Sequence, residues 1–587
     1  MTVTKIDFDP DKKSIIDIFE GSIRMMIPRY QRTYSWPKDK VEEFYDDFIV
    51  ESERAEDNLA YLGTILFSKD KDGNLEVIDG QQRLVTITIF FAAMRDLAKN
   101  FIQTDNSRSY ANQLQKLITI EYVFGNSFLE DKQGDNVKLR VGADIESLFS
   151  SMIYSESDDI KSIPTRIPAE RNVINAYSLF YSRVKALIDR PGMNSDTQLK
   201  MVVRLVQKIL SIEYIDIRVV DNEIAYNLFE SHNAKGVALA KTDLIKNYYF
   251  GRLKGTESEK NNRMDEWDSL LEALESKTSY MLPDRFFNYM VQSYDGHFSS
   301  SVLYRRIKPH IQNPSSFYKL LQININNMID LKTANTGDKS VDNALAGIEK
   351  MKVNQCFIFL LCLHRNRSFI NPRSYQNIVE LVEKFTYVYS AISKQPTNAL
   401  EKLYSKHAKK FQEASNTLSG QQTVSAVDKE RLGGQTLSSL KGDLIDLLPA
   451  LSVFSDGLSN LSYDSPAQRT LIRYTFEKIE EYKSNGIVAL SNLFTLDHIA
   501  PRSKSNKKGI YDSIGNLVPL SSYDNSSLGD KDPIQKLDVY KENINFFSVV
   551  SVVDILERKS SFGEDEILDR TTQIADYTYN KVFLIKK

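Results

Sequence analysis

Cysteine is nearly absent: 587 residues carry only Cys356 and Cys362, and both lie inside one apolar run. A disulfide framework is excluded, as is any cysteine-rich zinc ribbon or finger. Long hydrophobic runs are missing too. The longest, 356–363, falls far short of the roughly 20 residues that span a bilayer. The opening MTVTKIDFDPDKK has early acids and no apolar core, so it does not read as a secretory signal. No membrane partner and a cytoplasmic location are expected. Cationic surplus is the third absence. Lys plus Arg is 75 against 78 Asp plus Glu, a net charge of −3. A globally basic nucleic-acid coat is excluded, and any DNA contact must come from a local patch. Histidine is scarce, with six in the chain, so each one in a motif-like setting carries weight.

What is present is ordinary for a globular chain, with 42% hydrophobic and 26% charged residues. At about 100–200 residues per domain, two to four domains are expected. The pattern predicts a predominantly helical α+β protein in three regions: a mixed domain over 1–255, a helical middle and linker over 256–442, and a smaller domain over 443–587. A hairpin is predicted over 61–67 and 75–78, ending at Asp79-Gly80, and a helix over 81–100 with Leu84, Ile87, Phe91, Met94 and Leu97 at helical spacing. Residues 212–220 (IEYIDIRVV) read as a strand that joins this sheet from a distance. Helices are expected over 223–230 and over 243–250, the second capped by Thr242. Residues 356–363 read as the buried heart of the helical block. The Ser-, Thr-, Gln- and Gly-rich stretch 415–442, with Gly433-Gly434, reads as a linker.

The most informative stretch is Thr495-Leu-Asp-His-Ile-Ala-Pro501, followed by Ile514-Gly-Asn-Leu-Val-Pro-Leu520, Asp524-Asn525 and Lys531. Phosphodiester hydrolysis is expected to need a base for water and a hard divalent cation, held by oxygen ligands, on the leaving oxygen. His498 suits the base, because a neutral imidazole accepts a proton near pH 7. Asp497 and Asn525 suit Mg²⁺ or Mn²⁺. Because neighbours on a strand point to opposite faces, Asp497 and His498 are expected at a strand end or twist where both reach one site. Gly515-Asn516 signals a turn that closes a hairpin. A lone Asp-His pair is more often a cap or a satisfied core pair; the ordered set carries more. Arg502, Lys504, Lys507 and Lys508 follow directly. Alone they read as a solvated loop; beside such a site they are the local positive potential a net-acidic chain needs.

The string Asp497-His498-Ile499-x-Pro501, then Asn516, then Asn525, resembles the HNH (ββα-metal) nuclease motif. The resemblance implies that Asp497 and Asn525 bind the metal, His498 is the base, and Asn516 braces the hairpin. By position, Arg502, Lys504 and Lys531 would face DNA phosphates.

Two further strings stand out, Ile27-Pro-Arg-Tyr-Gln-Arg-Thr-Tyr-Ser-Trp36 and Val77-Ile-Asp-Gly-Gln-Gln-Arg83. A helix starting after Gly80 offers free N–H groups and a positive dipole end to phosphate. Gln81 and Gln82 could orient a water or a phosphate oxygen, Arg83 could fork onto phosphate, and Asp79 could hold a cation. The same residues could equally be a capped helix with surface polars. Tyr30, Tyr34 and Trp36, interleaved with Arg29, Gln31 and Arg32, could stack on a base or pack in a core. No Walker A sequence occurs, which argues against a P-loop NTPase.

Together these strings resemble the N-terminal domain of GmrSD-type modification-dependent (type IV) restriction endonucleases, on a ParB/sulfiredoxin-like fold. Phe229-Glu230, Asn233, Gly236 and 243–247 (DLIKN) resemble a third element of that family, with Ser231-His232 departing from it. The resemblance implies an NTP site (GTP, ATP, UTP or CTP) at Asp79, Gly80, Gln81, Gln82, Arg83, Arg32 and Trp36. It implies a nucleotide-regulated endonuclease on double-stranded, modified phage DNA, such as glucosylated hydroxymethylcytosine DNA, with a homodimer plausible. Two alternatives stay open: a phosphorothioate-sensing NTPase that nicks DNA, and a non-cleaving nucleotide-dependent DNA-binding protein.

Overall fold

A computed structural model describes residues 9–20, 23–50, 61–69, 74–120, 137–154, 160, 163–219, 241–279, 281–421, 423–484, 494–502 and 508–586. The chain divides into two compact units, Met1–Glu266 and Trp267–Lys587.

The first unit is built on one mixed sheet. Its strands are β1 (Asp9–Ser14), β2 (Met25–Met26), β3 (Tyr61–Lys69), β4 (Leu75–Asp79), β5 (Leu139–Arg140) and β6 (Glu213–Val219), in spatial order β1-β6-β3-β4-β2-β5. The predicted hairpin is β3–β4, antiparallel, and the 212–220 run supplies β6 between β1 and β3, parallel to β3 and antiparallel to β1. Helix α1 (Gln81–Asp96) leaves the end of β4. It has apolar or uncharged residues around most of its girth and is buried on nearly every side, as such a helix must be. Its Leu84, Ile87, Phe91 and Met94 enter the main core with Phe67, Val77, Phe180 and Tyr214. The opposite sheet face carries a smaller cluster, Leu66, Ile78, Ile217 and Val219. That cluster is covered by Tyr30 and by Leu244 of helix α2 (Lys241–Arg252). Helix α2 begins before Thr242, so that residue lies in its first turn. The helix predicted over 223–230, and Glu230, Asn233 and Gly236, fall outside the described residues.

The second unit joins the helical block and the C-terminal segment through a shared core. Met351, Tyr387 and Ile392 of the block pack with Phe454, Phe476, Phe494, Leu496, Leu517 and Phe583. Helix α3 (Phe357–Arg365) carries the 356–363 run, fully buried. The stretch expected to be a linker is instead helical: α4 (Asn398–Ser419) and α5 (Ala426–Asp446). The reason is packing. Leu432, Leu440 and Leu444 are buried, and a Cβ at Gly433 would lie 2.5 Å from the Ser374 side chain. The glycine serves close helix approach rather than flexibility. Among the described residues no helix is long and apolar enough to cross a membrane.

Buried histidine gives this unit a pH signature. His364 bonds the Tyr375 hydroxyl through Nδ1 at 2.7 Å, and burial, then the Arg367 charge, pushes its imidazole down to about 3. An unfolded chain takes up this proton near 6.5 and the native one does not, so the associated stability is lost as pH falls from 6.5 towards 3. Urea midpoints measured at pH 7 and pH 5 are expected to converge in His364→Phe relative to the parent chain.

Candidate functional site

In the C-terminal segment, β7 (Thr495–His498) pairs antiparallel with β8 (Leu517–Leu520), with Asp497 opposite Val518 and His498 opposite Leu517. Helix α7 follows, where α6 is Pro466–Lys483 and α7 is Ser522–Leu528. Adjacent strand residues point to opposite faces, and here that separates the acid from the imidazole.

Asp497 is 5% exposed. Lys536 Nζ donates to its two oxygens at 3.0 and 3.2 Å, and Tyr540 Oη donates to Oδ2 at 2.8 Å. Burial pushes this carboxyl up, while Lys536 and Tyr540 pull it back. Lys536 is itself 1% exposed and also donates to the His498 carbonyl at 2.5 Å. Asn525 turns to the same face as Asp497 and donates through Nδ2 to Thr495 Oγ1 at 2.8 Å and to Leu496 O at 3.2 Å.

A divalent cation needs open oxygen lone pairs. Those of Asp497 are committed to an ammonium and a phenol, so the expected Asp497/Asn525 pair does not fit a cation as it stands. Among the described residues no group of three or more His, Cys, Asp or Glu side chains converges on one point.

His498 occupies the other face. Its ring meets Tyr463 edge-on at 5.0 Å, and Nε2 lies 3.6 Å from Asp512 Oδ1. Burial, then the Arg502 charge, pushes the imidazole down to about 4, so it is neutral at pH 7. Arg502 is engaged by carboxylates: Nε to Asp512 Oδ1 at 2.7 Å, Nη2 to Asp512 Oδ2 at 3.0 Å and Nη2 to Asp464 at 3.0 Å. Lys531 is exposed, with Nζ donating to Ser527 O at 3.2 Å. Lys504 lies outside the described residues.

Asn516 is fully buried and holds the turn after β7. Its Oδ1 accepts from Ala500 N–H at 2.9 Å, and its Nδ2 donates to Ala500 O at 2.9 Å and to Tyr511 O at 2.8 Å. Sequence reasoning passed over Arg570. It is 2% exposed, and its Nη1 donates to Gly515 O at 2.8 Å and Leu517 O at 2.7 Å, one carbonyl on each side of Asn516. Burial lowers this guanidinium to about 10. No local motif marks it; a lone arginine in the amphipathic helix α8 (Glu564–Tyr577) reads as surface. Gly515 admits that helix. A Cβ there would sit 2.1 Å from Ile567 O and from Thr571 Oγ1. Gly515→Ala is therefore expected to cost about 1–3 kcal/mol by overpacking, measured as a lowered urea midpoint.

The N-terminal strings pack on each other. Gln31 Nε2 donates to Val77 O at 2.7 Å, and Tyr30 Oη donates to Glu76 at 2.5 Å. Gln82 Oε1 accepts from Ser35 N–H at 2.8 Å, and Tyr34 Oη meets Thr86 Oγ1 at 2.9 Å. The Asn247 amide, oriented to satisfy its bonds, donates to Tyr30 O at 2.9 Å. Trp36 packs against Phe44 at 6.0 Å, on the rim of the core.

Gly80 has φ +94°, and its N–H bonds Asp79 Oδ1 at 2.7 Å, so β4 turns sharply into α1. Arg83 is occupied. Its Nη1 donates to Leu62 O at 2.8 Å and Nη2 to Thr64 O at 2.7 Å, clasping β3 where one extra residue interrupts its pairing with β6. Gly63, between those carbonyls, has φ +99° and lies under the guanidinium. Arg83→Lys loses the fork and strands a carbonyl, for an expected loss of about 1.5–3 kcal/mol in urea unfolding.

What stays open at the helix start is smaller than the motif suggests. Gln81 Oε1 and Arg32 Nε are buried with no hydrogen-bond partner among the described residues. Burial lowers Arg32, opposed by the charges of Asp243 and Asp79. Both residues line a pocket with Gln31, Gln82, Val141 and Gly142. The α1 N-terminus has no side-chain cap. These groups carry the donors a phosphate-bearing ligand would need, but the pocket they line is about 10 Å³, room for about one water as it stands.

Comparison with known families defines the class of the protein, a restriction endonuclease. Residues 15–250 match the family model for the GmrSD restriction endonuclease N-terminal domain. Residues 449–577 match that for the C-terminal domain of GmrSD restriction endonucleases. The two matches cover more than half of the chain, which belongs to the GmrSD family of type IV restriction endonucleases, nucleases of phage defence whose substrate is DNA. No curated protein gives a match.

Proposed function

We propose that the chain is a nucleotide-regulated endonuclease that cuts modified phage DNA, with His498 as the base. One observation carries the reading: a neutral, partly buried imidazole ends β7, with Asn516 fixing the turn behind it by three hydrogen bonds. In the proposed step His498 takes a proton from water and the water oxygen bonds to phosphorus. The phosphorus–oxygen bond to the leaving strand then breaks, with the electron pair on that oxygen, which takes a proton from solvent. The Mg²⁺ or Mn²⁺ requirement implied by the HNH resemblance stays an expectation, and no step depends on it.

Arg32, Gln81 and the α1 amides bind the NTP, and its binding licenses cleavage. The test is cleavage of glucosylated-hydroxymethylcytosine, phosphorothioate and plain duplexes with each NTP in turn, with Mg²⁺, Mn²⁺ or EDTA. Cutting of the glucosylated duplex, dependent on NTP and lost in Arg32→Ala, is expected. Preference for a phosphorothioate signal would support the nicking alternative. Binding without any cut would support the non-cleaving one.

A further inference from the structure

The sequence-adjacent acid is turned away from His498, and a different acid faces the ring. Asp512 is 3% exposed and lies in the loop that leads into the Asn516 turn. Its Oδ1 is 3.6 Å from His498 Nε2, which is buried and has no hydrogen-bond partner among the described residues. Arg502 Nη2 donates to Asp512 Oδ2 at 3.0 Å and is anchored in turn by Asp464, while Oδ1, 2.7 Å from Arg502 Nε, has no hydrogen-bond partner among the described residues. The backbone places it as well, since Tyr463 N–H donates to Asp512 O at 2.9 Å and the Tyr463 ring edges the imidazole. His498 thus has an acid opposite Nε2, an aromatic wall, and its own carbonyl pinned by Lys536. Nδ1 is the nitrogen left for water.

We propose that Asp512 is a positioning residue for the nuclease step, the carboxylate that holds the His498 ring with its Nε2 proton inward and Nδ1 free to act. The proposal rests on the reading of His498 as the base. A contraction of a few tenths of an ångström makes the 3.6 Å approach a hydrogen bond, and a carboxylate behind the ring also favours the imidazolium formed when water is deprotonated. Asp497, the acid named by the motif, instead serves the fold.

Two measurements test this. In the unmodified full-length chain, ¹⁵N-histidine NMR at pH 7.5 reads the tautomer of His498, assigned by the signal that disappears in His498→Ala. The Nε2–H form is expected; the Nδ1–H form overturns the proposal. The second uses a glucosylated-hydroxymethylcytosine duplex with NTP and Mg²⁺. Asp512→Asn is expected to lower kcat about 10–100-fold with KM for the duplex unchanged, as for other histidine-orienting partners, and Asp512→Glu to recover part of it. Wild-type kcat in Asp512→Asn beside an inactive His498→Ala overturns the role of Asp512 alone. Wild-type cutting by His498→Ala overturns the underlying reading of the site.

Discussion

His498→Ala is expected to reduce DNA cleavage by about 10²–10⁴-fold, the range that one positioned general base contributes. Cooperative unfolding should persist, because the turn behind the ring is held by Asn516 and Arg570 rather than by the imidazole. On the proposed reading the ring takes part in proton transfer, so the effect belongs in kcat. Gel-based cleavage over an enzyme series, beside a thermal melt of the same preparation, checks both parts. A melt that collapses together with activity would show the histidine to be a packing residue.

Asp497→Asn should show the largest stability effect. Removing that carboxylate leaves Lys536 with a buried ammonium and no counter-charge. Breaking one side of a buried pair costs about 3–5 kcal/mol, whereas replacing both sides with apolar groups is often neutral. Urea unfolding should therefore show a large loss for Asp497→Asn and a substantial recovery for Asp497→Asn/Lys536→Met. If Asp497 instead served a cation, the metal-free variant would unfold as the parent does, and only its Mn²⁺ titration by calorimetry would change. Activity is expected to fall with stability in the single variant, because the Lys536 ammonium also fixes the His498 carbonyl.

Much of this architecture could be read from local pattern. Short apolar runs marked β3 and β4, β-branched residues marked the distant β6, and Asp79-Gly80 marked the turn into α1, because such composition is a property of a few consecutive residues. The Asn516 turn was legible for the same reason. Partners fixed by tertiary packing were not. Arg570, Lys536 and Tyr540 each reach the hairpin from elsewhere in the chain, and Asp512 from the long connection between its strands, and nothing in their neighbourhoods announces it. The motif named Asp497 by adjacency, yet the two-residue period of a strand sends neighbours apart, and a lysine 39 residues on claimed it. Gly433-Gly434 misled in the other direction: composition suggested slack, while one of the pair is needed for helices to touch.

The clasp that Arg83 makes around β3 bears on how variants in the Asp79–Arg83 string are interpreted. A chain altered at Arg83 that fails to restrict phage would be as easily a misassembled sheet as a hydrolysis-dead switch, and the phenotype would be mistaken for evidence about catalysis. Arg32 and Gln81, which support no other strand, are the positions where a genetic screen can separate the two.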